Sequence, residues 1–307
     1  MDRVEGDAAW MRRPEKGTVL GIRAVLLFCR VFGRRGGVAL LRVIAFYYTL
    51  FAGPARRAVQ DYLRRMSRPA GFWAAYRNVL YFAICALDRV FLVRGETRRF
   101  HLTETGVEHL VRLRAAKRGA ILLGAHLGSF EAMRAFAKHE AYTVNILAYF
   151  HNARLINTFL ATVGADFKGR VIEIDPKDSS YIFAVQAAIE RGELVAVLGD
   201  RVGVNEKNAT VSFLGAPARF PTGPYTLAAL LRCPIYLTFG LYSAPDRYDL
   251  YCEPLCEQLE LPRGAREAAL AAHVQRYADR LEHHCRLAPH NWFNFYDFWR
   301  PAQEDPR

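Results

Sequence analysis

The chain has 307 residues, 52% hydrophobic and 23% charged, a composition that excludes an intrinsically disordered protein, a collagen or a coiled coil and suits one large domain or two small ones. The formal net charge is +12, and residues 1–70, with 14 Lys or Arg and five Asp or Glu, contribute nine of those charges. A charge concentrated in this way indicates an anionic partner near the N-terminus, either nucleic acid, a phospholipid surface or a charged substrate.

The first elements are polar and then helical. Residues 1–17 are polar and lack the features of a signal peptide. Residues 18–95 are predicted as a basic amphipathic helical region, because arginines recur at helical spacing among apolar residues over 19–32 and 54–66. The most apolar stretch is 38–52, which as a helix reaches about 22 Å, short of the roughly 30 Å hydrocarbon core of a bilayer.

Basic, aromatic-rich amphipathic helices of this kind are typical of proteins that lie on an anionic membrane surface without crossing it. An ordinary helical domain with a solvated arginine face accounts for the same pattern. This region alone leaves both interpretations open.

From residue 96 to residue 300, short apolar runs alternate with helical segments. Strands are predicted at residues 119–125, 142–149, 171–175, 194–199, 235–241 and 248–253. Helices are predicted at residues 130–139, 153–163, 180–191, 225–232 and 263–286, and a polar loop at 200–224. Alternation of this kind predicts an α/β domain, with a sheet covered by helices on both faces. Residues 301–307 form a tail.

Several classes of site find no support. No Gly-x-Gly-x-x-Gly or Walker A loop follows a predicted strand, and there is no Gly-x-Ser-x-Gly elbow, so neither nucleotide binding nor that kind of serine hydrolase is expected. The six cysteines are too few and too scattered for a disulfide scaffold, and we expect free thiols. The residues that come closest to a zinc motif are spaced too loosely for one, so no metal site is predicted; they are Cys252, Cys256, His283, His284 and Cys285.

The chemically richest residues follow the first buried strand, in the run GAHLGSFE. On a regular helix, His126 and Glu131 would point about 140° apart. If His126 instead ends the strand, Gly128 turns the chain and Ser129 caps the next helix. The Glu131 carboxylate can then reach the imidazole and fix its tautomer, which leaves the other ring nitrogen as a general base.

The helix that begins after this turn would also offer backbone N–H groups to a developing oxyanion. The alternative is a core histidine next to a first-turn carboxylate that the helix dipole favours.

Four stretches resemble one family. GAHLGSFEAMRAF at 124–136 resembles the His-x4-Asp/Glu block of the lysophospholipid acyltransferase-like superfamily, most of all the branch of bacterial lipid A biosynthesis (lauroyl/myristoyl) acyltransferases and related predicted acyltransferases. Leu-Gly-Asp-Arg at 198–201, followed by 211–224, resembles a strand–loop block of that branch. The aromatic ending 291–299 and the basic helices up to residue 66 are similar to the same proteins. The resemblance therefore covers nearly the whole chain.

The resemblance implies a glycerol-3-phosphate acyltransferase-like fold, with a central mixed sheet, helices on both of its faces and a membrane-associating helical region before it. It also implies an O-acyltransferase in which His126 deprotonates an acceptor hydroxyl, Glu131 supports it, and the acyl thioester is attacked directly. The substrate-binding residues that it implies are Gly128, Ser129, Arg154, Asp200, Arg201, Phe213, Gly215, Thr222 and Gly223. Most of these also have an ordinary reading as turn, core or solvated residues.

The partners that the resemblance implies are an anionic phospholipid membrane, an acyl-carrier-protein or coenzyme A thioester as co-substrate, and a lipid or glycolipid acceptor. No other cofactor and no nucleic acid is expected, and the expected location is the cytoplasmic face of the bacterial inner membrane. Lipid A acyltransferases usually carry an arginine near the end of the helix predicted at 153–163, where this chain has Thr-Val-Gly at 162–164. This departure leaves open an acceptor other than the lipid A disaccharide. The alternatives are a non-catalytic basic membrane-binding or nucleic-acid-binding protein, and a thioesterase that uses the same His/Glu site.

Overall fold

A computed structural model describes residues 19–133, 142–149, 170–175, 178–203 and 206–299. The predicted helix 153–163, with Arg154, lies outside the described residues, as does the end of the predicted helix 130–139. The polar N-terminal segment and the C-terminal tail also lie outside them.

The N-terminal part is helical, as predicted. Its helices are α1 (Val19–Phe51), α2 (Gly53–Arg65) and α3 (Phe72–Val93). The two helices predicted within α1 are confirmed as two helical segments that meet at a kink at Gly33, where φ is +66° and glycine avoids strain. Among the described residues no single helix has the length and apolar composition to cross a bilayer. The segments Val31–Phe51 and Gly53–Arg65, which meet at a bend of 93°, have that length and composition only when they are taken together.

The strands are β1 (His101–Thr105), β2 (Ala120–Gly124), β3 (Val144–Tyr149), β4 (Val171–Ile174), β5 (Leu194–Leu198), β6 (Asn208–Phe213), β7 (Ala216–Pro221), β8 (Ile235–Ser243) and β9 (Arg247–Cys256). Seven of these described strands form one sheet in the order β1-β9-β8-β2-β5-β3-β4. All neighbours are parallel except β8 and β9, which are antiparallel. The predicted α/β fold with a mixed central sheet is confirmed.

Helices cover both faces of this sheet. Besides the N-terminal helices they are α4 (Val107–Ala115), a helix that begins at Phe130, α5 (Tyr181–Glu190), α6 (Gly223–Leu231) and α7 (Arg266–Leu287). Alternate residues of β2 point to opposite faces, so Ile121 and Leu123 enter a core shared with α2, α6 and α7. Ala120 and Leu122 enter a second core shared with α1, α3 and α4.

The predicted polar loop 200–224 is wrong in part, because it contains the β6–β7 hairpin. Leu214 and Gly215 form its turn, with φ of +52° and +77°, the two-residue geometry that suits the twist of paired strands. Val211 and Phe213 are buried while Ser212 is exposed. This short alternation was the strand signal in the sequence.

A buried ion pair joins the N-terminal helices to the sheet. Arg34 of α1 donates from Nε and Nη2 to the two carboxylate oxygens of Asp88 on α3, at 2.6 and 2.7 Å. The hydroxyl of Tyr248 on β9 donates to the same carboxylate at 2.8 Å, and Arg34 Nη1 donates to the Pro245 carbonyl at 2.9 Å. The pair therefore connects α1, α3 and the β8–β9 hairpin.

We expect Asp88→Ala to destabilise the protein by about 3–5 kcal/mol, because it leaves the Arg34 charge buried without this carboxylate. The measurement is the free energy of unfolding by chemical denaturation. The matched control is Asp61→Ala, which breaks the half-exposed pair between Asp61 and Arg65 on α2 and should cost less than about 1 kcal/mol. Equal losses in the two variants would contradict the prediction.

Candidate active site

Two parallel strands bring two polar side chains together. β2 and β5 are paired up to Gly124 and Leu198, and the Gly199 amide donates to the Gly124 carbonyl at 2.9 Å. The carboxyl ends of parallel strands meet at the same edge of a sheet. His126 lies two residues beyond β2 and Asp200 two residues beyond β5, so the strand pairing places them side by side.

His126 and Asp200 form a directed pair. The His126 Nδ1 and Asp200 Oδ1 atoms are 2.8 Å apart, and the His126 backbone amide donates to Asp200 Oδ2 at 3.0 Å. An ionised carboxylate can only accept hydrogen bonds, so Nδ1 carries the proton of the neutral ring. Nε2 is then left with a free lone pair. Asp200 is 1% exposed, whereas 29% of the imidazole side chain is exposed.

The surroundings of the pair favour a neutral His126 imidazole next to an ionised Asp200 carboxylate. Burial and the Arg201 charge lower the pKa of His126, and Asp200 opposes them. Burial would raise the pKa of Asp200, but His126 and Arg201 outweigh it and hold that pKa at about 2. At neutral pH the arrangement is therefore a neutral imidazole that can accept a proton at Nε2, supported by a carboxylate that favours the resulting cation.

The prediction that the Glu131 carboxylate contacts the imidazole is wrong. The carboxylate that hydrogen-bonds His126 is Asp200, which the sequence interpretation had assigned to substrate binding. Glu131 lies in the first turn of the next helix, as predicted, but its Oε1 pairs with Nε of Arg89 at 2.9 Å. Asp200 is 74 residues from His126 along the chain, and no local spacing indicates that they meet.

The turn after His126 is held by backbone contacts. Gly128 has φ +70° and donates its amide to the Asn291 carbonyl at 2.9 Å. A Cβ there would lie 2.0 Å from the Gly240 carbonyl oxygen, so no other residue fits. The Ser129 amide donates to the same Gly240 carbonyl at 2.7 Å, and its hydroxyl accepts from the Ala132 amide at 3.2 Å.

The prediction that Ser129 caps this helix is thus confirmed. The amides of Gly128 and Ser129, which precede this helix, both donate to protein carbonyls. The prediction that the amides at the start of the helix serve an oxyanion stays a prediction.

The C-terminal aromatic segment passes directly over the pair. Trp292 is 1% exposed and donates its indole N–H to Asp200 Oδ2 at 3.0 Å. It also forms a β-bridge with Leu127, and the next residue, Phe293, donates its amide to the His126 carbonyl at 2.8 Å. Sequence reasoning assigned Trp292 no role of its own. The available signal was that a buried indole needs an acceptor, but nothing in the sequence named that acceptor.

Arg201 also lies close to this pair. Its Nη2 donates to the Phe293 carbonyl at 3.0 Å, and its guanidinium lies 5.6 Å from the ring centre of Tyr296. Its charge reaches His126, since it lowers the pKa of that imidazole. The carbonyl and the ring therefore orient a positive charge at the site.

The structure places four other predicted residues in structural roles. Phe213 is fully buried among aromatic rings that include Trp292 and Trp299, so its interpretation as a substrate-binding residue is corrected to that of a core residue. Gly215 occupies the β6–β7 turn. The amide and hydroxyl of Thr222 both donate to the Lys207 carbonyl, at 2.9 and 3.0 Å.

Gly223 begins α6, and a Cβ there would lie 2.9 Å from Glu206 Oε1. That oxygen belongs to a carboxylate that accepts from Tyr149 at 2.7 Å and from the Gly203 amide at 2.8 Å. Thr222 and Gly223 therefore shape the start of α6 through protein contacts.

The residues once considered for zinc are accounted for in other ways. His284 is buried and its Nε2 pairs with Glu253 at 3.0 Å. The cysteines are free thiols. Within the part of the chain that the structure describes, no three His, Cys, Asp or Glu side chains are grouped so as to hold a metal ion.

Comparison with known proteins gives one positive finding. The family model for bacterial lipid A biosynthesis acyltransferases matches residues 78–301. The matched region begins within α3 and includes His126, Glu131, Asp200 and Trp292. No curated protein sequence matches the chain.

We expect Asp200→Asn to lower the pKa of His126 further. The Asp200 charge favours the imidazolium, so its removal leaves burial and Arg201 unopposed by that carboxylate. The measurement is an NMR titration of the imidazole nitrogens, with the His126 signals assigned by their absence in His126→Gln. An unchanged pKa in Asp200→Asn would show that the carboxylate does not act on the ring.

Proposed function

The chain belongs to the family of bacterial lipid A biosynthesis acyltransferases, and we propose that it transfers a fatty acyl chain from a thioester donor to a hydroxyl group of a membrane lipid or glycolipid. The observation that carries this proposal is the bond from His126 Nδ1 to the buried Asp200 carboxylate. It leaves Nε2 as a general base, which a direct transfer to a hydroxyl needs.

The reaction can be written on these residues. Nε2 of His126 takes the proton from the acceptor hydroxyl while that oxygen attacks the thioester carbonyl carbon. The tetrahedral intermediate then collapses, the C–S bond breaks, and the imidazolium returns the proton to the leaving sulfur. Asp200 stabilises the imidazolium during the interval, as the carboxylate of a Ser-His-Asp triad does. One ester bond forms, one thioester bond breaks, and the histidine is regenerated.

The oxyanion of the intermediate requires a positive or hydrogen-bonding partner. Since the amides of Gly128 and Ser129 are engaged, we assign this role to Arg201 and to the N-terminal end of the helix that begins at Phe130. The bond of Arg201 to the Phe293 carbonyl and its packing on Tyr296 support this assignment, because they orient the guanidinium before substrate arrives.

An exposed apolar surface supports a location on the membrane. Val43, Tyr47, Leu50 and Phe51 share one face of α1 and are exposed, whereas Leu41, Ala45 and Thr49 on the opposite face are buried. A large exposed apolar patch marks an interaction site.

An exposed aromatic residue of α3 extends this surface. Trp73, at the start of α3, is 68% exposed and lies 6.1 Å from Phe46 between ring centres. Arg42, Arg57 and Arg64 are exposed on α1 and α2. We propose that this aromatic and basic surface binds an anionic phospholipid membrane at the cytoplasmic face of the bacterial inner membrane, where a lipid acceptor is found.

The donor is proposed to be an acyl-carrier-protein or coenzyme A thioester. Both carry negative charge, which suits a chain with 12 net positive charges. No other cofactor enters the proposed reaction.

We expect His126→Ala to reduce acyl transfer by about 100-fold or more, and Asp200→Asn to reduce kcat with a smaller effect on KM, because a positioned base contributes about 10²–10⁴-fold. Transfer is measured with purified protein, palmitoyl-thioester donors and a panel of lipid acceptors.

The control is His109→Ala, a partly exposed histidine on α4 that lies next to Arg112. If His126→Ala retains full transfer, the proposed mechanism is excluded. If free fatty acid is the product with every acceptor and its release requires His126, the chain is a thioesterase.

We expect the triple variant Tyr47→Ser, Phe51→Ser, Trp73→Ser to bind anionic vesicles at least about tenfold more weakly, because three large apolar side chains no longer enter the lipid. Binding is measured by co-sedimentation with phosphatidylglycerol-containing vesicles. Phe183→Ser is the control, since Phe183 is 73% exposed on α5, a different helix. Equal binding by the triple variant and the wild type would remove this surface from the proposal.

A further inference from the structure

One face of α3 lies against the candidate active site. Asn78, Phe82 and Arg89 are spaced by four and seven residues, which places them within about 40° of one another around a helix. Asn78 Nδ2 donates to the Trp292 carbonyl at 3.1 Å. The ring of Phe82 lies 5.4 Å from that of Phe293 between centres. Two of the three side chains thus contact the segment that covers the His126–Asp200 pair.

The third side chain on this face reaches the other acidic residue of the site. Arg89 Nε lies 2.9 Å from Glu131 Oε1, with the arginine side chain 44% exposed and the glutamate 15% exposed. The ion pair connects a helix of the N-terminal region to the helix that follows His126. The carboxylate that hydrogen-bonds the imidazole is instead that of Asp200.

We propose that Arg89 is a positioning residue of the acyl-transfer site, which fixes the Glu131 carboxylate in the first turn after His126 and keeps its charge neutralised there. The inference rests on the proposed function, since it assigns a role within that reaction. Arg89 acts through Glu131 and through its own charge, and it takes no part in bond making.

The charges that face His126 determine what loss of Arg89 does. Among the described residues they are Arg201 and Asp200 beyond β5 and Arg89 on α3. Glu131 is the ion-pair partner of Arg89, and the phenol ring of Tyr296 lies next to Arg201. Removing Arg89 removes a positive charge and leaves Glu131 without this partner. Both changes favour the imidazolium, so the base becomes protonated at a higher pH.

The test is steady-state acyl transfer by Arg89→Gln between about pH 5 and 9. We expect kcat to fall about 10- to 100-fold with a smaller change in KM, as for a displaced site residue, and the acidic limb of the kcat/KM profile to move to higher pH. Arg89→Lys keeps the charge and should retain most of the activity. Arg77→Gln is the matched control, because Arg77 is an exposed arginine on the same helix.

A double-mutant cycle separates positioning from a general structural effect. The cycle is measured above the acidic limb of every profile, where His126 is neutral and the direct effect of the Arg89 charge on its protonation does not contribute. If Arg89 acts through Glu131, Arg89→Gln combined with Glu131→Gln then loses about as much kcat as Glu131→Gln alone. Additive losses, or an Arg89→Gln profile equal to that of Arg77→Gln, would overturn the proposal. Arg89→Met keeps the aliphatic packing and provides the same measurement if Arg89→Gln does not fold.

Different results would exclude the proposed acyl transfer and the proposed role of Arg89. A wild-type protein without acyl transfer, or with transfer that does not need His126, removes the proposed function. Transfer that requires His126 but does not respond to Arg89→Gln removes only the role of Arg89.

Discussion

The site depends on how one buried carboxylate is compensated. Asp200 is almost inaccessible to solvent and ionised, and an uncompensated charge in such a place costs several kcal/mol. Three donors offset that cost: the His126 ring, the His126 backbone amide and the Trp292 indole. Two of these donors belong to His126, just after β2, and the third belongs to Trp292 in the aromatic segment 291–299. The requirement to compensate the charge therefore orients the imidazole and brings the aromatic C-terminal segment across the sheet edge.

The aromatic C-terminal segment also connects the Asp200 site to the N-terminal helices. The Trp292 carbonyl accepts from Asn78 of α3, and α3 is joined to α1 and β9 by the buried carboxylate of Asp88. The helices with the exposed aromatic surface and the helix that pairs with Glu131 thus belong to one packed unit with the sheet. A protein built in this way holds its site at a fixed position relative to the surface that we propose binds the membrane.

Part of this arrangement was predictable from the sequence. β2 and β5 are continuous apolar runs next to glycines, and Ser129 sits where a helix cap is expected. The sequence does not predict which strands lie next to each other in the sheet. The pairing of His126 with Asp200 follows from β2 lying next to β5, and strand order depends on the packing of the whole sheet. The local His-x4-Glu spacing favoured Glu131, which the structure instead pairs with Arg89 of α3. The β6–β7 hairpin was missed because Gly215 and two prolines, Pro217 and Pro221, interrupt the stretch, and these residue types are typical of loops.

The charges at the site explain how one histidine can serve as base and then as acid. A base must be neutral before the reaction and must become a stable cation during it. Burial and Arg201 favour the neutral ring, while the hydrogen bond from Nδ1 to Asp200 favours the cation. Because hydrogen bonds to a charged group are stronger than those to a neutral one, the Asp200 contact strengthens as Nε2 gains its proton. Burial and Arg201 therefore keep the resting ring neutral, and the bond to Asp200 contributes most when the proton has moved.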